Sequence, residues 1–186
     1  MLDLDQLIDD CRGALADPSP QLAVKDVLAR AMARPAEVEA ALPAATAELT
    51  AIYHSPDLTI LKVVWAPEMV IPPHDHRMWA AIGIYGGGED NTFYRRAENG
   101  IVESGGRDLR TRDTLVLGDD VIHSVTNPRR HDFTGSIHIY GGDYFGVPRS
   151  LWDAETREEG PADGARLQQL FADANARLAA SDPGAG

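Results

Sequence analysis

The sequence predicts a mostly-β protein, an antiparallel barrel or sandwich with helices before it and one helix after it. Three observations carry this. From residue 49 onward, short runs rich in Val, Ile, Thr and aromatic residues recur between Pro, Gly and Asp. Ahead of them, apolar residues recur at intervals of three and four, as on a helix face. Behind them, the same helical spacing returns.

Leu4, Leu7, Ile8, Cys11 and Leu15 form a first amphipathic stripe, which Asp17-Pro18-Ser19-Pro20 interrupts. Leu22, Val24, Val27, Leu28 and Met32 mark a second helix. Pro35 stands in the first turn of a third, with Val38 and Leu42 on its apolar side. Strands are expected near 49–54, 58–66, 77–85, 91–96, 101–103, 114–117, 121–126 and 133–140. The turns between them are signalled by Ser55-Pro56-Asp57, Ala66-Pro67-Glu68, Gly86-Gly87-Gly88, Asn99-Gly100 and Gly118-Asp119-Asp120. A final helix over 163–180 carries Leu167, Leu170, Phe171 and Leu178, and Ser181–Gly186 is expected to fray. The chain thus divides into helices packed on the barrel (1–48), the barrel (49–160), and a helix with its tail (161–186), one structural domain in all.

Composition narrows the function. The chain has 186 residues and a formal charge of -12, which argues against nucleic acid and against anionic membranes as partners. Cys11 is the single cysteine, so no intramolecular disulfide and no Cys-based zinc site is possible. Met1-Leu2-Asp3-Leu4-Asp5 is acidic where a secretory leader would be basic, and no apolar run matches a membrane span, so the cytoplasm is the expected compartment. A monomer or a homodimer is expected. The acidity is uneven: residues 1–48 carry -5, residues 151–186 carry -4, and residues 49–150 only -3. All six histidines fall in that nearly balanced stretch.

Four of them form a pattern. His74 and His76, in Pro72-Pro73-His74-Asp75-His76, point to one face of an extended chain, and the two prolines stiffen the approach. His123 lies in a later β-rich run, opposite Ile122 in alternation. Together the three supply neutral nitrogen ligands and leave coordination positions open; imidazole suits Fe, Zn, Cu and Ni alike. In Gly135-Ser136-Ile137-His138-Ile139-Tyr140, period two puts Ser136, His138 and Tyr140 on one face. An interior polar face needs mutual hydrogen bonds, which a Ser–His–Tyr relay provides; an exposed strand face is the alternative.

These residues carry a resemblance. The His-x-His, followed by Gly118-x-x-x-x-His123-x-Val125-x-Asn127, resembles the two motifs of the cupin superfamily. Ser136-x-His138-x-Tyr140, 15 residues after His123, looks like the signature of the thiol dioxygenases within it, cysteine dioxygenase and 3-mercaptopropionate dioxygenase. The resemblance covers about residues 45–150, and Met78–Arg96 is similar to a bacterial subgroup of cysteine-dioxygenase-like proteins. It implies a double-stranded β-helix (jelly-roll) barrel and a mononuclear Fe(II) held by His74, His76 and His123, although a purified sample can carry Zn or Ni instead. It implies oxidation of a small thiol to a sulfinic acid with both atoms of O2. Tyr140, oriented by His138 and Ser136, would donate a hydrogen bond to oxygen or substrate.

Two departures from the superfamily pattern point toward the three-histidine bacterial type. Arg77-Met78-Trp79-Ala80-Ala81 holds no carboxylate ligand, and Glu89 lies across the glycine turn, too far along to be one. Ala81 stands where animal cysteine dioxygenases bear a crosslinking cysteine. A thiol acid's carboxylate calls for an arginine. Arg149, eleven residues after His138, is the preferred candidate; Arg77 neighbours His76 but should face away by alternation. Trp79 either lines the pocket or fills the core with Trp65. His54 and His131 are expected at the surface without partners, and Cys11 buried and inert. Two alternatives stay open: the metal site runs a different reaction (another oxygenase, a hydrolase or an isomerase), or the barrel only binds a small ligand or a partner.

Overall fold

The computed structural model describes residues 2–181, so the expected tail beyond Ser181 lies outside the described residues. Three helices lead: α1 (Leu4–Ala14), α2 (Pro20–Met32) and α3 (Pro35–Ala41). Asp3 caps α1 by accepting from the Gln6 amide at 3.1 Å, and Pro20 and Pro35 open α2 and α3, where a missing N–H costs nothing. Eleven strands follow: β1 (Glu48–His54), β2 (Thr59–Trp65), β3 (Val70–Asp75), β4 (Ala80–Gly86), β5 (Gly88–Ala97), β6 (Gly100–Arg110), β7 (Thr114–Leu117), β8 (Ile122–Thr126), β9 (Thr134–Tyr140), β10 (Ser150–Trp152) and β11 (Glu159–Pro161). Helix α4 (Gly164–Ser181) comes after them.

The strands form two antiparallel sheets, ordered β1-β2-β9-β4-β7 and β11-β10-β3-β8-β5-β6. The central strands β2 to β9 change sheet repeatedly: β2, β4, β7 and β9 build one, and β3, β5, β6 and β8 the other. That order is the jelly roll, two Greek keys closed face to face. The fold is therefore the expected double-stranded β-helix barrel with N-terminal helices and a C-terminal helix.

Helices α1 to α3 cover the outer face of the first sheet. Leu28, Met32 and Val38 pack there with Ile60, Ala81, Ile137 and Ile139, all fully buried. The approach is close: a Cβ on Gly83 would sit 2.8 Å from side-chain carbons of both Leu28 and Met32, so only glycine lets α2 lie this near to β4. Helix α4 closes the other side. Phe171 stacks on Trp65 with ring centroids 5.5 Å apart, and the Asn175 side-chain amide bonds both the N–H and the C=O of Ala47, at 3.0 and 2.9 Å. Among the described residues, no helix is long and apolar enough to cross a membrane.

Several strands differ from the sequence expectation, each for a local reason. Strand β3 was hidden by Pro72 and Pro73, which donate no ladder bond. Strand β4 begins at Ala80 rather than 77, because Arg77 adopts φ 55 and breaks the chain direction after His76. Strand β6 runs eleven residues, well past the expected 101–103 and on through Ser104-Gly105-Gly106, where Gly105, at φ 147, belongs to a bulge opposite Phe93 and Tyr94. Strands β10 and β11 span three residues each, too short for any periodicity.

Candidate metal centre

The bulge in β3 orients the first two histidines. Ile71 pairs with Val125 and His74 with His123, so β3 uses three steps where β8 uses two. The extra residue falls at the prolines and shifts the alternation by one. Ile71 and His74, three apart, therefore both face the interior, and His76 follows His74 on that side. His123 lies directly across from His74.

The three imidazoles meet. One ring nitrogen from each lies within 4.8 Å of the other two, with ring centroids 4.6 to 5.0 Å apart. The second nitrogens of His74 and His123 are engaged. His74 Nδ1 sits 2.9 Å from the Pro72 carbonyl oxygen, which can only accept, so Nδ1 carries the proton and Nε2 the lone pair. His123 Nδ1 lies 2.7 Å from Asn91 Oδ1. His123 Nε2 is buried with no hydrogen-bond partner among the described residues, which is rare for a buried nitrogen. Burial pushes the His74 pKa down to about 4 and holds those of His76 and His123 well below the ordinary range, so all three are neutral at pH 7. Three neutral, converging imidazoles with an orphaned nitrogen fit a divalent transition metal. Glu89 is not part of this cluster.

Around the histidines lies a cavity of about 40 Å³, room for a few water-sized groups, walled by apolar residues such as Val63, Ile71, Val125, Leu151, Leu167 and Leu170. Tyr140 borders it, its ring 4.9 Å from that of His76 and 4.5 Å from that of Tyr144. Burial raises the Tyr140 hydroxyl well above its usual pKa, so it is protonated. Arg149 reaches the same cavity, its guanidinium 3.8 Å over the Tyr144 ring and its Nε buried without a partner. The cavity therefore joins a metal-type site, a phenol and a cation.

Three candidate residues lie away from the centre, Arg77 facing outward as alternation implies and Trp79 taking the core alternative. Ser136 faces inward, but its hydroxyl donates to the Val63 carbonyl at 3.0 Å, and both His138 nitrogens have other partners. Arg77 turns outward through its left-handed backbone. It pairs with Asp75 at 2.6 Å and donates to Ser150 at 3.2 Å, so it lies outside the pocket. Trp79 packs with the helix-side cluster, wedged so tightly on Gly141 that a Cβ there would lie 2.0 Å from its ring. His54 also differs from expectation: it bonds Asp143 at 2.7 Å and meets the Phe145 ring edge-on, while His131 is exposed. Cys11 is fully buried, and burial pushes its thiol up to about 12.

The sequence reading missed a second layer. Glu89 is completely buried and accepts from Trp65 Nε1 at 2.8 Å and from Asn91 Nδ2 at 3.0 Å; His138 Nε2 lies 3.3 Å from its Oε2. His138 Nδ1 in turn lies 3.2 Å from the Tyr140 hydroxyl. Burial alone would raise the Glu89 pKa, but the His138 charge and the hydrogen bonds from His138, Trp65 and Asn91 outweigh it and hold it low. The signal was present: Glu89, Asn91 and Phe93 alternate onto one face, but the expected strand started only at 91 because of the glycines before it. Asp75, between two of the histidines, was missed as well. Its carboxylate accepts from the Ser150 N–H at 2.7 Å and so anchors β10 immediately after Arg149.

No protein-family model matches the chain. Among solved structures, an uncharacterized conserved protein with a double-stranded β-helix domain from Klebsiella pneumoniae is 10% identical, with 57% of this chain and 79% of that one aligned, at a TM-score of 0.46. An RmlC-like cupin family protein from Methanocaldococcus jannaschii is 12% identical over 55% of this chain and 85% of that one, at 0.46. Oxalate decarboxylase from Bacillus subtilis is 14% identical over 50% of this chain and 22% of that one, at 0.39, so the aligned part is under a quarter of its length. Likenesses this distant assign no activity, and the strand order itself defines the fold.

Proposed function

We propose that the protein is an iron-dependent thiol dioxygenase that oxidises a small thiol carboxylate, of the cysteine or 3-mercaptopropionate type, to a sulfinic acid with O2. One observation carries this reading: three neutral imidazoles converge on a small cavity that also holds a phenol and Arg149, whose buried Nε has no hydrogen-bond partner among the described residues. His74, His76 and His123 would hold Fe(II). Bound there, the ion supplies open positions for a thiol and for dioxygen and lowers the pKa of the thiol.

The chain's own residues do the rest. Arg149, stiffened by its stack on Tyr144, presents donors suited to a carboxylate, and its buried Nε gains the partner it lacks. The apolar wall keeps bulk water from the reacting group and selects for small size. Tyr140 lays its ring beside His76 at the border of the cavity, within reach of a small bound molecule. Anaerobic loading with Fe(II), followed by oxygen-uptake and sulfinate assays with cysteine, 3-mercaptopropionate and cysteamine, tests the proposal. Uptake with at least one carboxylate thiol, lost in Arg149→Ala, is expected; no uptake with any of the three overturns it.

A second reading is favoured by one departure, the buried carboxylate of Glu89 against His138 where the resemblance implies a serine. In that reading the same nitrogens hold Zn or Ni as a Lewis acid for hydrolysis or isomerisation. One equivalent of zinc or nickel, with no iron-dependent oxygen uptake, would favour it.

A further inference from the structure

We infer that Glu159 is a positioning residue: from outside the barrel, paired with Arg96, it fixes the register of β10 and so holds the Arg149 side chain in the cavity. The inference rests on the reading of Arg149 as the group that receives a substrate carboxylate, and it adds the part of the chain that keeps Arg149 there.

Strand β10 has two faces. Leu151 lines the cavity, and so does Arg149, two residues earlier. Ser150 and Trp152 alternate to the other side, where they meet Glu159 and Arg96. A slip of one residue would exchange the faces and carry Arg149 out. The ladder alone guards weakly against it. Strand β10 has three residues and, among the described residues, pairs with β3 at one position, Leu151 opposite His74. Its other neighbour, β11, is equally short and ends the sheet.

Side chains on the outer face supply what the ladder lacks. Glu159 accepts from the Ser150 hydroxyl at 2.5 Å, and its two oxygens take the Arg96 fork at 2.7 and 3.1 Å. Arg96 stands near the end of β5, with its guanidinium 5.1 Å over the ring of Trp152, which is fully buried with Ile101 and Ile122. One carboxylate thus ties β5 to the residue that follows Arg149. These bonds suit the observed register alone, because a slipped β10 would turn Ser150 inward and away from Glu159. The hydrogen bonds from Arg96 and then Ser150 bring the Glu159 pKa down to about 2, so the pair is intact at neutral pH.

Arg149 needs support from behind. Its carbonyl accepts from the Ala162 N–H at 2.8 Å and its guanidinium rests on Tyr144, but its buried Nε has no partner among the described residues. A cation kept available for an anion is aimed by its backbone. Asp75 also accepts from the Ser150 N–H, but it stands between two candidate ligands. Glu159 lies apart from them on β11, so it can be changed without altering a neighbour of either.

The test uses the full-length protein, loaded anaerobically with Co(II), and two thiols of equal chain length, 3-mercaptopropionate and 1-propanethiol. Absorption of the Co(II)-bound thiolate gives both affinities. The unaltered protein should bind the carboxylate thiol more tightly. Glu159→Ala should weaken 3-mercaptopropionate about tenfold and leave 1-propanethiol within twofold, and Arg96→Gln should act in the same direction. The fold should persist, since exposed ion pairs add little to stability. Equal weakening of both thiols in Glu159→Ala marks a merely structural role and overturns the inference, as does no change in either. Metal-free protein gives a second readout. Exchange of the Arg149 Nε–H, followed by 15N NMR and assigned with Arg149→Lys, should be about tenfold faster in Glu159→Ala, and an unchanged rate overturns the inference. An unaltered protein that binds the two thiols alike, or binds no Co(II), sinks the proposed function instead, and the exchange rate then decides the positioning by itself.

Discussion

Strand β9 separates two interiors that differ in kind. On its outer side, Ile137 and Ile139 pack under the helices with Leu28, Met32, Ile60 and Ala81, in a cluster almost without polar atoms. On its inner side, His138 and Tyr140 meet Glu89, Asn91 and three further histidines within the barrel. The two faces belong to the same seven residues, all buried. Alternation with period two is enough to place stabilising burial on one side and costly polar chemistry on the other. The dry side needs only shape, at about 25 cal/mol per Å² of apolar surface buried. The polar side needs a partner for nearly every atom, and the few atoms without one mark where a ligand belongs.

The comparison breaks most sharply on the dry side. Leu28→Ala opens a cavity under β4 and should cost about 2–5 kcal/mol in urea denaturation, while metal affinity stays within twofold. A large loss of affinity would show that the two interiors are not separate. The polar side should respond the other way. Metal at 100 times its Kd should stabilise the unaltered protein by about 2.7 kcal/mol and His123→Ala not at all, with little change in the stability of the metal-free form.

Mild acid should act chiefly on the polar side. His74 titrates near 4 when folded and near 6.5 when unfolded, so below pH 6.5 the unfolded chain binds the extra proton and stability falls with pH. Between pH 7.5 and 5 the metal-free protein should lose roughly 2 kcal/mol from His74 alone, read from urea midpoints. His76 and His123, shifted in the same direction, add to this loss. The smallest effect is expected outside both interiors: His54→Ala removes an exposed pair with Asp143 and should leave the urea midpoint unchanged.

Most of the architecture was legible because alternation and turn residues are local signals. Helices α1 to α4 and eight of the strands, all but β3, β10 and β11, could be read from spacing and turn residues. Strand β3, which holds the first ligand, could not, since its prolines remove the ladder donors by which a strand is recognised. The three histidines were legible as a set because chemistry limits what such a pattern can do. The partners of His138 were not: Ser136 lies on the correct face, but whether it or Glu89 reaches the ring depends on how β5 and β9 pack across the barrel. Arg77 and Trp79, next to a ligand in sequence, were carried away from it by a single left-handed residue. Nearness along the chain was the weaker guide, and Glu89, Asn91 and Trp65 reach the site from distant positions.

The bond between Asn175 and Ala47 joins residues 128 apart. It fastens α4 to the start of β1, and α4 brings Leu167 and Leu170 to the cavity wall. The three histidines and part of the wall that encloses them therefore come from separate stretches of the chain, joined by the Asn175–Ala47 clasp and by the stack of Phe171 on Trp65.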